Sequence, residues 1–167
     1  WNAWAQGNCP KIFNQISPNC INSVSRPLLN KAITLSPELT NNVYFYKTVS
    51  GQVGKLKVSA VNVSKSECTL FLEAATFGGA DGAIYVPNSS ISISVEENNW
   101  LRGRIFLDKE GTTALLLDKP KDKTGCELQL TPTTGTEIRF YQKMSEELVR
   151  EENVLLFYGP LVLVFIA

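Results

Sequence analysis

The chain has no histidine among its 167 residues. Imidazole is the usual general base near neutral pH and a frequent metal ligand, so its absence excludes Ser-His-Asp catalysis, Cys-His catalysis and histidine-ligated metals. The sequence also has no GxSxG, P-loop or GxGxxG motif and no CxxC pair, which are common signatures of hydrolases, nucleotide-binding proteins and zinc sites. We therefore predict a non-enzymatic protein with no metal and no cofactor.

Carboxylate chemistry is the catalytic alternative that the composition leaves open. Glu96 and Glu97 are neighbours in the sequence and would face opposite sides of a strand. Glu73 lies within an apolar segment, and its parity places it on the outer side of the predicted strand. A glycan hydrolase needs two carboxyl groups at a defined separation, which the sequence does not supply. A carboxylate-dependent glycan hydrolase is accordingly an alternative to the non-enzymatic prediction.

The chain also lacks net charge, because 16 lysines and arginines balance 16 aspartates and glutamates. Nucleic-acid-binding proteins concentrate basic residues, commonly with aromatic residues between them, and no such stripe is present. We predict no nucleic-acid partner.

No uncharged run is long enough to cross a bilayer as a helix. The longest begins at Asn153, has fifteen residues and is interrupted by Gly159-Pro160, whereas a spanning helix needs about 20. We predict no integral membrane span and interpret the run as a strand that is apolar on both faces. Such a strand needs cover from the N-terminal helices or from a second subunit. The second interpretation predicts a homo-oligomer contact through Leu161, Leu163 and Phe165.

Methionine occurs once, at Met144, and the sequence starts at Trp1. We expect that a secretory signal has been removed from this start. The even number of cysteines predicts two disulfide bonds rather than reduced thiols. Glycosylation sequons at Asn62 and Asn88 add weight to secretion. The predicted location is extracellular or at the cell surface, reached through the secretory pathway or the periplasm.

Two-residue alternation dominates the sequence from Val43 onward. Leu56, Val58 and Ala60 alternate with lysines at 55 and 57, for example. Alternation of this kind indicates antiparallel strands with one face in the core and one in water. The predicted strands are 43–48, 53–61, 67–74, 83–86, 90–95, 100–107, 113–117, 126–131, 136–142 and 161–167.

About ten short strands separated by turns predict an antiparallel β-sandwich, jelly-roll-like or Greek-key, with a closed barrel as the alternative. Residues 1–42 differ, since they hold several prolines and short apolar clusters. The segments 11–16 and 25–33 predict short helical turns. We predict one structural domain, in which a helical and looped segment at 1–42 packs on the sheet of a β domain at 43–167.

Strand parity suggests how the cysteines pair. Cys68 and Cys126 each share a strand face with two leucines, so both are expected to point into the core from separate strands. A bond between them would close a long loop, which constrains the unfolded chain strongly. The other two cysteines are eleven positions apart and would close a local loop. The predicted pairs are Cys9–Cys20 and Cys68–Cys126.

An outward row of large side chains is predicted on the strand at 100–107. Trp100, Arg102, Arg104 and Phe106 share a parity opposite to that of the core-facing Leu101. Tryptophan, arginine and aromatic residues dominate the energetics of protein interfaces. We predict that this row contacts a protein or glycan partner; in the alternative, Trp100 covers one end of the sandwich.

These observations predict a secreted or surface-exposed domain for recognition, adhesion or assembly. The first alternative is a barrel that carries a small apolar ligand, because barrels of this strand count can enclose one. The second alternative is the hydrolase.

Overall fold

The computed structural model describes residues 10, 12–29, 31–64, 67–78, 84–94, 101–118 and 129–144. Within these residues the chain forms one short α-helix, two 3₁₀ turns and nine strands. The strands are β1 (Ile33–Thr34), β2 (Asn42–Lys47), β3 (Val53–Val63), β4 (Glu67–Phe77), β5 (Ser90–Ser94), β6 (Leu101–Phe106), β7 (Ala114–Asp118), β8 (Gln129–Pro132) and β9 (Glu137–Lys143).

The strands form two antiparallel sheets. One has five strands in the order β5-β4-β3-β2-β9, and the other has four in the order β1-β8-β7-β6. Side chains from both sheets share one apolar cluster, so the arrangement is sandwich-like and the mainly β prediction is confirmed. The described strands form no closed barrel, and that alternative is wrong.

The core between the sheets follows the predicted alternation in β3 and β4. Leu56 and Val58 are buried in it, as are Cys68, Leu70 and Leu72. The prediction that Ala60 is also buried is wrong, because the register between β3 and β4 shifts after Val58 and Val61 takes the inward position instead. Sheet residues that fill the opposite side of this core are Ile105, Leu107, Leu115, Leu117 and Leu130.

The outer face of the five-stranded sheet carries a second core. The sequence predicts that Lys55 and Lys57 face water, and this is wrong, since both are buried. The N-terminal segment covers them: the Lys55 ammonium donates a hydrogen bond to the carbonyl of Phe13 at 2.6 Å and lies 4.7 Å from its ring. Burial lowers the pKa of Lys55, although the charge of Glu73 opposes this. The cluster contains Phe13, Ile16, Cys20, Ile21, Val43, Phe45, Tyr141 and Met144.

The helix in this second layer is α1 (Pro18–Ser23). Ser17 caps it by accepting a hydrogen bond from the amide of Cys20 at 3.3 Å, and Pro18 occupies the first turn, where a missing N–H costs nothing. A 3₁₀ turn at Phe13–Gln15 matches the helical turns predicted at 11–16 only loosely.

The helical turn predicted at 25–33 is wrong, because the described residues before and after position 30 pair with strands. Leu28 forms an isolated bridge with Arg139 of β9, and the amide of Leu29 donates to the carbonyl of Ile138 at 2.9 Å. Further along, β1 pairs with the edge of β8. The unpaired backbone groups of two strand edges therefore hold the segment extended. We call residues 26–34 the edge arm, of which residue 30 lies outside the described part.

The strand predicted at 83–86 is only a single bridge between Tyr85 and Thr76. Ile84 and Val86 on either side are exposed. The closing strand at 161–167 lies outside the described residues. Within the part that the structure describes, no helix is long and apolar enough to cross a membrane.

Buried hydrogen bonds connect the two sheets. The Thr76 hydroxyl donates to the carbonyl of Leu107 at 2.6 Å. A hydroxyl has one proton to give, so Tyr46 must be the donor in its 2.6 Å contact with Thr76. Burial raises the pKa of Tyr46 well above its ordinary value, which keeps the phenol protonated for this role. Nearby, the amide of Val49 donates to the Thr113 hydroxyl at 2.9 Å.

The two described cysteines lie on opposite sides of the five-stranded sheet. Cys20 belongs to the outer cluster and Cys68 to the core between the sheets, and neither is a free thiol. Side chains that point away from each other across a sheet cannot form a disulfide. Of the three connectivities that four cysteines allow, the geometry therefore excludes the one containing Cys20–Cys68. Cys9 and Cys126 lie outside the described residues.

Candidate functional site

A cleft of about 410 Å³ opens between α1 and the strand pair β2 and β9. Its charged lining residues are Arg26, Lys47, Glu137 and Arg139, and we call the site the basic cleft. Asparagine and serine side chains at 22, 23 and 25 contribute further polar groups. Ligand sites are usually concave, and polar groups in them fix the orientation of the ligand.

The register of β2 and β9 determines which side chains face the cleft. Phe45 lies opposite Arg139, and Lys47 lies opposite Glu137. Phe45 belongs to the outer cluster, and residues two apart in a strand share a face. Lys47, Glu137 and Arg139 are therefore on the outer face of the sheet. α1 residues and Phe45 share the outer cluster, and among the described residues the cleft lies between them and these three side chains.

The ion pairing within the cleft is uneven. Glu137 pairs with Arg139, two residues along the same strand, at 3.2 Å. Lys47 faces the same glutamate across the strands, where opposite charges commonly interact, yet it forms no ion pair with any described residue. Three cations and one carboxylate leave the basic cleft positively charged, with the Lys47 ammonium uncompensated within the described part of the chain.

Two guanidinium groups are held in place by backbone contacts. The Nε of Arg139 donates to the carbonyl of Arg26 at 2.9 Å, and the Nε of Arg26 donates to the carbonyl of Tyr141 at 3.4 Å. The Arg26 guanidinium also lies 5.7 Å from the centre of the Tyr141 ring, which itself stacks on Phe45 at 4.5 Å. A guanidinium has five N–H donors, so both arginines keep donors for which the described residues offer no acceptor.

The row predicted on β6 is described only in part. Arg104 and Phe106 are exposed on the edge strand of the four-stranded sheet. Trp100 lies outside the described residues, and Arg102 sits at a register shift between Leu101 and Gly103. The contact surface of these four residues stays a prediction.

The other predicted positions lie in different parts of the molecule. Asn62 and Asn88 are both exposed, as a glycosylated residue must be, and their glycosylation stays a prediction. The proposed oligomer contact at 161–165 lies outside the described residues. Glu73 is on the outer side, as predicted, and pairs with Lys57 at 3.5 Å.

The sequence does not reveal the basic cleft. Glu137 and Arg139 are two positions apart and therefore share one face of a strand. This spacing is the one local sign of the cleft in the sequence. The cross-strand position of Lys47 requires the register of β2 and β9, and Arg26 approaches from the edge arm, 113 residues away from Arg139. A cleft built by three distant segments leaves no spacing motif.

Three of the described carboxylates have structural partners. Glu73 pairs with Lys57 and Glu137 pairs with Arg139. Asp108 accepts hydrogen bonds from the amides of Thr112 and Thr113. The described residues include no group of three or more acidic or cysteine side chains that could hold a metal ion.

Comparison of the chain with protein-family models, with curated proteins and with solved structures found no match. Function is therefore inferred from the chemistry of the described residues.

Proposed function

We propose that the protein is a secreted or surface-exposed, non-enzymatic recognition domain that binds a protein or glycan partner in the basic cleft. The observation that carries this proposal is the concave site between α1, β2 and β9, with three cations and one carboxylate. Recognition, adhesion and assembly all need a binding surface that is already formed on a rigid scaffold. The sandwich supplies the scaffold, and a jelly-roll-like or Greek-key topology belongs to the same proposal.

The alternatives have less support from the described residues. The described side chains between the sheets form one buried cluster, mainly of leucine, isoleucine and valine, which gives no support to a carrier of an apolar ligand. Glu73, Asp108 and Glu137 are engaged in ion pairs and hydrogen bonds, which gives no support to a hydrolase. The row at Arg104 and Phe106 remains the competing contact surface.

The extracellular location rests on the cysteines. Cys20 lies in the outer cluster with Phe13, and Phe13 comes only four positions after Cys9 in the sequence. Cys68 faces the four-stranded sheet, and Cys126 comes three positions before β8 of that sheet. Because an extended chain covers at most about 3.5 Å per residue, these short separations favour a bond from Cys9 to Cys20 and from Cys126 to Cys68. We therefore keep Cys9–Cys20 and Cys68–Cys126 as the proposed pairs.

Peptide mapping tests these pairs. Proteolysis of the oxidised, unreduced protein is expected to release one crosslinked peptide containing residues 9 and 20 and another containing residues 68 and 126, identified by mass spectrometry. The same digest after reduction and alkylation is the control. A peptide that joins Cys20 to Cys68 would contradict both the pairing and the placement of these residues on opposite sides of the sheet.

Binding to an array of glycans and extracellular proteins tests the recognition proposal. Fluorescently labelled wild-type protein is expected to bind a defined subset of spots. Lys47→Glu reverses a charge in the cleft without removing a described contact, and we expect it to weaken those signals by about tenfold or more. Arg104→Glu makes the same change in charge on the exposed face of β6 and is the matched control.

The outcomes separate the candidate surfaces. If Arg104→Glu loses the signal and Lys47→Glu keeps it, the contact surface is on β6 and the cleft is not the site. Absence of any specific signal with the wild type would overturn the recognition proposal. Shortened glycans found by mass spectrometry after incubation would instead favour the hydrolase.

A further inference from the structure

We infer that the basic cleft takes an anionic sugar, held through a sulfate group or a uronic-acid carboxylate. This inference rests on the proposed recognition function and specifies the chemical class of the partner. Sulfate and carboxylate groups both present negatively charged oxygens. Guanidinium and ammonium groups bind such oxygens through charge-assisted hydrogen bonds.

The charge of the cleft favours an anion. Among the described residues Glu137 forms an ion pair only with Arg139, and Lys47 on the same face forms none. Arg26 and Arg139 are each anchored through Nε to a backbone carbonyl, so their remaining donors are presented without a large loss of side-chain freedom. Preorganised donors of this kind lower the cost of binding.

The surroundings of the cleft favour a sugar over a peptide. An extended peptide usually binds by adding a strand to a free sheet edge. Here the edge of β9 beside the cleft is already paired with the edge arm, through the Leu28–Arg139 bridge and the bond from the Leu29 amide to Ile138. The additional polar groups at Asn22, Ser23 and Ser25 can hydrogen-bond to sugar hydroxyls.

Fluorescence anisotropy with labelled tetrasaccharides tests the inference on the full, oxidised chain. The probes are a sulfated tetrasaccharide, an unsulfated uronate tetrasaccharide, a neutral tetrasaccharide of the same length and an acidic hexapeptide, with sodium sulfate as a competitor. We expect one or both anionic sugars to bind and the neutral sugar to bind at least about tenfold more weakly. Which anionic probe binds more tightly separates sulfate from carboxylate as the recognised group.

Matched variants connect the binding to the cleft. Lys47→Gln is expected to weaken the anionic sugar about tenfold, whereas Lys109→Gln, which neutralises an exposed lysine in the turn after β6, is expected to leave it unchanged. Glu137→Gln frees Arg139 from its ion pair and is expected to tighten binding by about threefold. Added sodium chloride should weaken binding, because open surface charges are screened.

Four results would overturn the inference. They are equal binding of neutral and anionic sugars, an unchanged affinity in Lys47→Gln, tighter binding of the acidic peptide than of either anionic sugar, and no binding of any sugar at millimolar concentration. None of them removes the recognition proposal, which stands or falls with the array. Binding on the array without binding of the anionic sugars would leave the cleft with a partner of another class.

Discussion

Gly54→Ala is expected to lower the free energy of unfolding by about 3 kcal/mol or more, since added volume in a packed core costs about this much. A methyl group at this position would overlap ring atoms and the hydroxyl oxygen of Tyr46. That ring is directly opposite on β2, is 2 % exposed and is held by its hydrogen bond to Thr76. The ring therefore cannot shift to make room for the added methyl group. Urea denaturation under non-reducing conditions measures the change.

Two further variants identify the cause of the loss. Gly51→Ala adds a methyl group where no atom lies within 4 Å, at a φ of 95°, so it carries only a backbone cost of about 1–2 kcal/mol. Tyr46→Ala removes the ring that the new methyl group meets. In the double variant Gly54→Ala/Tyr46→Ala we expect a smaller loss than the sum of the single variants. A strictly additive result would show that the ring is not the obstacle.

Asp108→Ala is expected to destabilise the protein by about 2–4 kcal/mol at neutral pH, because two backbone amides, one of them buried, would lose their acceptor. The carboxylate accepts hydrogen bonds from the amide of Thr112 at 2.9 Å, from the amide of Thr113 at 3.2 Å and from the Thr112 hydroxyl. Thr113 is fully buried and in turn accepts from Val49 of the turn between β2 and β3. Loss of the carboxylate therefore loosens a connection between the sheets.

The pH dependence of this effect has a defined sign. Burial acts to raise the pKa of Asp108, but the hydrogen bonds from Thr112 and Thr113 outweigh it and hold the pKa below its ordinary value. A lowered pKa in the folded state contributes stability that is fully present above the unfolded pKa of about 3.9 and is lost as the pH falls through the folded value. The difference between the wild type and Asp108→Ala should thus be constant above about pH 5 and shrink below about pH 4.

Urea denaturation between neutral and acidic pH measures this dependence. Glu110→Gln, which changes an exposed carboxyl group in the same turn, is the control and should shift stability by less than about 0.5 kcal/mol. Asp108→Asn keeps an acceptor oxygen without the charge and should lie between the wild type and the alanine variant. Parallel pH profiles for the wild type and Asp108→Ala would contradict the assigned role of the carboxylate.

The inner faces of the strands were predictable because side chains alternate with a period of two. Leu56, Leu70 and Leu72 reach the core in the predicted way, since that pattern needs no knowledge of partner strands. The position of Ala60 was not predictable, because the bulge that follows Val58 depends on the pairing of β3 with β4. The alternation of apolar and polar residues predicts which face of the sheet a side chain occupies only up to the point where the register between the two strands shifts.

The outer face and the basic cleft were not predictable for a different reason. Lysine is normally exposed, and Lys55 is buried only because the N-terminal segment offers it the Phe13 carbonyl and ring. Arg26 reaches the cleft because residues 26–29 pair with β9 instead of forming a helix. Both features depend on contacts between segments far apart in the sequence, which local composition does not encode.

The edge arm has a consequence for how copies of the protein meet. It lies along β9 of one sheet and then along β8 of the other, so a single stretch of chain shields both layers on one flank. Unpaired backbone N–H and C=O groups on an uncovered sheet edge are a template on which neighbouring molecules can add strands and aggregate. The arm pairs with each edge at only two residues, and an edge strand this short leaves neighbouring molecules little template on this flank.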